Sequence, residues 1–156
     1  MTANDLFAAA PDLMKKWTAT SLAVVSSLEP TLVGLVEIRA SQINGCANCL
    51  NMHTAAAREK GETEQRIYLL SAWREAPCYS ERERAALGWT EALTRLSEGH
   101  ELEDARKALQ AQFTEQEQVK LTLMINVING WNRIAVGFGQ FVDPAEAKAV
   151  ATKAAA

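Results

Sequence analysis

The chain has 156 residues, of which 48% are hydrophobic, so it can bury a core as one domain without disulfide or metal support. Its 16 basic and 19 acidic residues give a net charge of -3 and form no basic stripe, which argues against nucleic acid as a partner. No apolar run reaches membrane-spanning length and no signal-peptide pattern opens the chain, so we expect a cytoplasmic protein without membrane contacts.

Prolines and glycines separate segments with a 3.6-residue periodicity, and alternating β-branched runs are missing, so the sequence predicts an all-α bundle. Asn44 and Gly45 should break one helix, and Gly61 should end the next in a left-handed C-cap. The predicted helices run from Asp12 to Ser26, Pro30 to Gln42, the cysteines to Lys60, Glu64 to Trp73, Ser80 to Ser97, Leu102 to Ala111 and Val119 to Gly137. We expect a single domain over residues 1–156 with its core at about 30–138.

Two segments carry the pattern of a capping box, in which a hydroxyl and a glutamate three residues later satisfy the first backbone N–H groups of a helix. They are Ser80 with Glu83 and Thr114 with Glu117. The second opens the most apolar helix, whose hydrophobic residues cover most of its circumference. We therefore predict burial against other helices or a second subunit, and a stable homo-oligomer. An alanine-rich tail after Pro144 predicts one more helix.

Cys46, Cys49 and His53 recur at positions i, i+3 and i+7 of the predicted third helix. At about 100° per residue these positions lie within roughly 60° of one another on one helical face. Two thiols close enough to form a disulfide, with a base nearby, are the minimum equipment for reducing a substrate through a dithiol. The motif therefore predicts redox chemistry, with no metal and no cofactor.

The Cys-x-x-Cys motif has other interpretations, and the rest of the sequence bears on each of them. A structural zinc site needs four ligands, and neither Cys78 nor His100 offers a paired second half. Haem attachment requires histidine directly after the second cysteine, where Leu50 stands, and a thioredoxin motif requires a preceding strand. Three core residues without chemistry remain an alternative, because buried cysteine is common. Cys78 is expected to be a bystander, and His100 to face solvent.

The residues alone give conflicting indications of which thiol attacks the substrate. The positive end of the helix favours Cys46 as the lower-pKa thiolate, whereas the i, i+4 spacing puts His53 beside Cys49. We favour Cys49 as the nucleophile and Cys46 as the resolving thiol, because a base helps most where a proton must move.

The stretch from Glu37 to Cys49, followed by His53, resembles the AhpD-like alkyl hydroperoxidases of the carboxymuconolactone decarboxylase superfamily. Segments 52–54, 72–75, 81–87 and 129–133 are similar to its shorter, peroxidase-related branch, so the resemblance covers about residues 30–138. The family implies an AhpD-like helical fold, trimers or hexamers, and a dithiol peroxidase cycle. In that cycle Cys49 would attack the peroxide, Cys46 would close the disulfide and His53 would relay the proton. An external dithiol of protein or lipoyl type would restore both thiols.

One departure from the family concerns the acid of the relay. The family places a glutamate twelve residues before the first cysteine, and Gly34 occupies that position here. Glu37 lies one helical turn later and is predicted to replace it through a water molecule, in which case Gly34→Glu would raise activity. A solvated surface role for Glu37 is the alternative. Asn48 also replaces the aromatic residue or histidine often found between the cysteines.

The sequence thus predicts a thiol-dependent peroxidase of the alkyl hydroperoxide reductase type, acting on hydrogen peroxide or organic hydroperoxides in antioxidant defence. A lactone decarboxylase is a weaker alternative, because that branch does not depend on a Cys-x-x-Cys pair. A redox-sensing or structural oligomer with weak turnover is the alternative outside enzymes, and Gly34 motivates it. The conspicuous residues outside the motif are interpreted as packing and capping groups: Trp73, Arg74, Trp131, Asn132 and Arg133.

Overall fold

The computed structural model describes residues 3–99 and 102–141, which contain eight α-helices, two short 3-10 turns and no strand. The helices are α1 (Ala3–Ala9), α2 (Pro11–Val25), α3 (Pro30–Asn44), α4 (Ala47–Glu59), α5 (Glu64–Leu69), α6 (Glu81–Thr94), α7 (Leu102–Gln112) and α8 (Glu115–Gly137). The all-α prediction is confirmed. His100 and the tail after Pro144 lie outside the described residues. In the part that is described, no helix is both long and apolar enough to cross a membrane.

The predicted helix ends agree with the structure where a cap or a glycine is present. Both capping boxes form, with Ser80 at the start of α6 and Thr114 at the start of α8. Gly45 has φ 64° and Gly61 has φ 94°, the left-handed conformation that an L side chain rarely adopts. These residues terminate α3 and α4 where the sequence predicted.

Two predicted helices are shorter than expected, and α1 was not predicted. The helix expected to reach Trp73 becomes a 3-10 turn over Leu70–Ala72, because the Arg84 guanidinium donates to the carbonyl oxygens of Trp73 and Arg74. These carbonyls are thereby satisfied outside a helix. The helix expected to reach Ser97 ends at Thr94 and continues as a 3-10 turn over Leu96–Glu98.

Helix α3 is the central element of the bundle and packs against α4, α6 and α8. Its side chains are buried around most of its circumference, which removes the amphipathic pattern of a surface helix. One hydrophobic cluster joins α3 to α6, α7 and α8, and a second joins it to α4, α5 and the 3-10 turn. The core residues of α3 are Leu32, Val33, Leu35, Val36, Ile38 and Ala40.

Helix α2 lies along the C-terminal half of α8 and depends on one close approach. The Trp17 ring packs against Gly130, where an added Cβ would come within 2.7 Å of the ring. The rings of Trp17 and Trp131 are 5.9 Å apart, and the Trp131 indole N–H donates to the Ser21 hydroxyl at 3.0 Å. Glycine at position 130 therefore allows α2 to cover the face of α8 that carries Trp131.

Candidate active site

The two cysteines of the motif lie at the turn between α3 and α4. Cys46 is the N-cap of α4, and its sulfur accepts a hydrogen bond from the backbone N–H of Cys49 at 3.3 Å. The structure pairs Cys46 with Cys49 in a disulfide with the Cα atoms 5.3 Å apart, whereas Cys78 is free. The first sulfur therefore lies at the positive end of a helix, where a thiolate is stabilised.

A group of side-chain amides holds this turn in place. Asn44 donates to Asn132 at 2.8 Å and to Asn129 at 3.0 Å, and Asn132 donates to the Ser41 hydroxyl at 3.0 Å. Asn132 is fully buried, so these bonds form away from competing water. They connect α8 to the last turn of α3 and agree with the structural role given to Asn132. Asn129 was not recognised in the sequence.

His53 and Glu37 form a direct pair beside the cysteines. The Nδ1 atom of His53 is 3.0 Å from Oε2 of Glu37, and the two side chains are 17% and 14% exposed. The sequence predicted an intervening water, but the antiparallel packing of α3 and α4 brings the side chains into contact. Because Nδ1 faces the carboxylate, the other ring nitrogen is the one left for proton exchange.

Gly34 is buried on α3 against α4, where a Cβ would lie 3.7 Å from the Cβ of Ala57. Ala57 lies one helical turn beyond His53, and Glu37 already contacts the imidazole. A glutamate at position 34 would therefore place a carboxylate in the buried interface between α3 and α4. We now expect Gly34→Glu to cost stability, so the gain of activity expected from the sequence has no support in this geometry.

A cavity of about 430 Å³ lies between α2, α4 and α8 next to these residues. Most of its wall is apolar, and the polar groups of the predicted site are collected on one side. Its lining comprises Thr18, Ser21, Leu22, Val25, Glu37, Asn48, Cys49, Met52, His53, Met124, Val127, Ile128, Trp131, Ala135 and Gln140. The cavity therefore has the composition of a site for a small, largely apolar molecule.

The two cysteines differ in their relation to the cavity. Cys49 lines it together with His53 and Glu37, whereas Cys46 is 1% exposed and is not part of the lining. Leu22 and Met52 line the cavity and are 62% and 55% exposed, so they mark its opening to the surface. A molecule entering there meets the Cys49 sulfur, with a base beside it and a second thiol behind it.

The other wall of the cavity was not predicted from the sequence. Trp131 was interpreted as a packing group, and no role was given to Thr18, Leu22 or Gln140. These residues come from α2 and from the end of α8, and their position depends on the contact between Trp17 and Gly130. A glycine at position 130 within a strongly apolar helix was the available signal for a close approach.

The fold and the Cys-x-x-Cys pair place the chain in the AhpD-like class of all-α proteins. It belongs to the carboxymuconolactone decarboxylase family, whose model matches residues 11–92. The uncharacterized protein YdfG of Bacillus subtilis (strain 168) is 43% identical over 126 residues, which make up 81% of this chain and 82% of that protein. The uncharacterized protein YnjA of Escherichia coli (strain K12) is 30% identical over 105 residues, or 67% of this chain and 57% of that protein.

Solved structures with the same fold include one with high sequence identity. A crystal structure from Agrobacterium tumefaciens, of a protein of unknown function described as a candidate AhpD antioxidant defence protein, is 45% identical with a TM-score of 0.83. The match covers 88% of this chain and 97% of that one. The debrominase Bmp8 has a TM-score of 0.79 at 17% identity, over 91% of this chain and 77% of that one. At that identity the likeness concerns the fold alone.

Proposed function

We propose that this protein is a thiol-dependent peroxidase that reduces hydrogen peroxide or organic hydroperoxides through Cys49 and Cys46, and that it serves antioxidant defence. The observation that carries the proposal is the position of Cys49 at the wall of an apolar cavity, beside the paired His53 and Glu37. The candidate antioxidant role of the Agrobacterium relative supports the same class of activity.

In the proposed cycle His53 accepts the proton of the Cys49 thiol while Glu37 stabilises the resulting imidazolium. The Cys49 thiolate attacks one peroxide oxygen, the O–O bond breaks, and the departing alkoxide or hydroxide takes the proton from His53. Cys49 is then a sulfenic acid. The Cys46 thiol attacks that sulfur, its proton leaves with the hydroxyl group as water, and the Cys46–Cys49 disulfide forms.

The reductive half of the cycle requires an external dithiol, of protein or lipoyl type. Its thiolate attacks the disulfide to form a mixed disulfide, and its second thiol displaces the cysteine, which restores both protein thiols and oxidises the donor. A reducing compartment such as the cytoplasm would supply such a donor, so a cytoplasmic location is part of the proposal.

We also propose that the protein is a homo-oligomer, a trimer or hexamer. Helix α8 leaves Val119 60% exposed and Leu123 47% exposed, one helical turn apart on the same face. A neighbouring subunit would remove this apolar face from water. Light scattering should give a mass of at least three chains at micromolar concentration, and a monomeric mass would refute the proposal.

The peroxidase proposal can be tested by following the thiols and the peroxide together. Fully reduced protein is mixed with one equivalent of cumene hydroperoxide, the disulfide is mapped by mass spectrometry, and cumyl alcohol is measured. We expect one Cys46–Cys49 disulfide and one alcohol per chain, with multiple turnovers once dithiothreitol is supplied. Cys78→Ser is the matched thiol control and should behave as the parent does.

The alternative of a redox sensor without turnover gives a different result in the same assay. The disulfide would form once, but dithiothreitol would not sustain peroxide consumption beyond one equivalent per chain. The sequence favours this alternative because Gly34 occupies the position where the family has a glutamate. The contact between Glu37 and His53 supplies an acid to the relay and weakens that argument.

A further inference from the structure

Unpaired polar atoms are concentrated at the cavity. Among the described residues, three buried side-chain atoms have no hydrogen-bond partner: Trp17 Nε1, Thr18 Oγ1 and Gln140 Nε2. Thr18 and Gln140 belong to the cavity lining. A buried polar atom without a partner has lost its hydrogen bonds to water, so such atoms are rare unless a ligand or an ordered water satisfies them.

Gln140 is held at the end of the cavity where the cysteines lie. Its backbone N–H donates to the carbonyl oxygen of Ala135 at 2.8 Å. Ala135 is the residue against which Cys46 and Cys49 pack. The Gln140 side chain lines the cavity, and its backbone is bonded to the residue that the cysteines contact.

Thr18 lines the same cavity from α2. Helix α2 is antiparallel to α8, because Trp17 contacts Gly130 whereas Val25 packs against the cluster that contains Met124. Thr18, which follows Trp17, therefore lies near the level of Gly130 in the C-terminal half of α8. Its hydroxyl and the Gln140 amide are donors on the wall opposite α4.

Along α8, the part of the cavity wall away from Ala135 is apolar. Val25, Met124, Val127 and Ile128 line it, and the positions from Met124 to Ala135 extend over roughly 16 Å of α8 at ~1.5 Å per residue. A molecule with an oxygen-bearing head and a hydrocarbon tail would satisfy both ends when its head lies beside Cys49.

Resting on the peroxidase function proposed above, we propose that Gln140 and Thr18 bind the oxygen atoms of the hydroperoxide and determine its orientation. Cys49 attacks one peroxide oxygen, and the Gln140 amide donates a hydrogen bond to the other, which leaves. The Thr18 hydroxyl donates a second hydrogen bond to the oxygen atoms of the hydroperoxide. When the O–O bond breaks, negative charge develops on the departing oxygen until it takes the proton from His53. Fixed donors stabilise that charge in a site from which water is largely excluded.

The test measures single-turnover oxidation of the reduced protein by cumene hydroperoxide in three site variants and two control variants. Gln140→Leu should slow oxidation by about 10²-fold, as expected for loss of one such donor. Gln140→Glu keeps the shape but presents an acceptor and should be slower still, and Thr18→Val should have a smaller effect in the same direction. Two matched controls lie at exposed positions outside the lining, Gln110→Leu and Thr20→Val, and should oxidise at the parental rate.

A second reaction separates oxygen binding from a structural role. Reduction of the oxidised protein by 1,3-propanedithiol uses the same disulfide but involves no oxygen atom. We expect Gln140→Leu and Thr18→Val to be reduced at the parental rate. Equal losses in oxidation and reduction would show that these residues only maintain the shape of the cavity, and would overturn the proposal.

The outcomes also separate this inference from the function on which it rests. Parental oxidation in both Gln140 variants and in Thr18→Val would refute the donor assignment and leave the peroxidase intact, with ordered water as the partner of the unpaired atoms. A parent that forms no disulfide and no alcohol with the hydroperoxide would refute both.

Discussion

Helix α3 makes two contacts between an acidic and a basic side chain, and the two carboxylates differ in how many partners they have. Arg39 faces α6, where Glu91 accepts from its Nε atom at 2.7 Å and from the Trp73 indole at 2.8 Å. The Arg74 guanidinium contacts the second Glu91 oxygen. Glu37 lies two residues before Arg39 and faces α4. Among the described residues, the His53 imidazole is the only partner of its carboxylate.

The difference separates a carboxylate that holds helices together from one that lies at the cavity beside His53. Burial raises the pKa of Glu91, but the hydrogen bonds from Arg74 and Trp73 and the charge and hydrogen bond of Arg39 outweigh it and lower the pKa below its usual value. A carboxylate with three donors is fixed in its charged form. Glu37 and His53 line the cavity and remain partly exposed, as a proton relay requires.

The largest effect should come from replacing the two cysteines at the turn between α3 and α4. Cys49→Ser removes the nucleophile and should abolish peroxide reduction. Cys46→Ser should react once and stop as a sulfenic acid at Cys49, because no resolving thiol follows. Mass spectrometry after one equivalent of peroxide distinguishes the two variants, and sustained turnover in Cys49→Ser would overturn the assignment of roles.

The relay should give the next largest effect. His53→Gln should lower the rate of thiol oxidation by ~10²–10⁴-fold, the range for lost acid–base catalysis. Glu37→Gln should lower it by less, because the imidazole remains while its charged form loses stabilisation. Stopped-flow oxidation of the reduced variants measures both rates.

Glu59 is exposed at the end of α4 and lies outside the cavity lining, so Glu59→Gln is the matched control for Glu37→Gln and should oxidise at the parental rate. A Glu37→Gln variant that oxidises at the parental rate would remove Glu37 from the mechanism and leave the dithiol in place.

Glu91→Gln should act on stability and not on chemistry. Removing the buried charge leaves Arg39 without its ionic partner and should lower the free energy of unfolding by about 3 kcal/mol. That corresponds to a fall in Tm of roughly 6–12 °C for a chain of this size. Thermal unfolding measures the change. A loss of oxidation rate as large as that of Glu37→Gln, at a temperature where the variant is folded, would erase the distinction between the two contacts.

The smallest effect should be a change in stability at acidic pH. Because the pKa of Glu91 is lowered from 4.5 by folding, its contribution is fully present above pH 4.5 and disappears as the pH falls through the folded-state pKa. The pKa of Glu83 is lowered too, and that of Glu117 is lowered to about 2, so the parent has several acid-sensitive groups. The stability difference between the parent and Glu91→Gln isolates one of them. It should shrink between pH 7 and pH 3 in urea titrations, and a constant difference would contradict the assignment.

Local sequence patterns predicted much of the helical framework. The capping boxes at Ser80 and Thr114 and the breaks at Gly45 and Gly61 were predicted, because caps and left-handed residues act within a few neighbours along the chain. The extra helix α1 and the 3-10 turn before Trp73 were not. The 3-10 turn depends on Arg84, a residue that is distant in sequence and whose side chain reaches the carbonyls only after folding.

The sequence by itself determined the dithiol, since two cysteines three residues apart at the start of a helix are within reach of a disulfide. Only the tertiary structure decided which acid meets His53, because that depends on how α3 lies against α4 and gives a direct contact with Glu37. It also decided that Cys49 and not Cys46 lines the cavity, whose far wall is closed by α2. Spacing along a helix is fixed by its geometry, whereas contacts between helices depend on packing over the whole bundle.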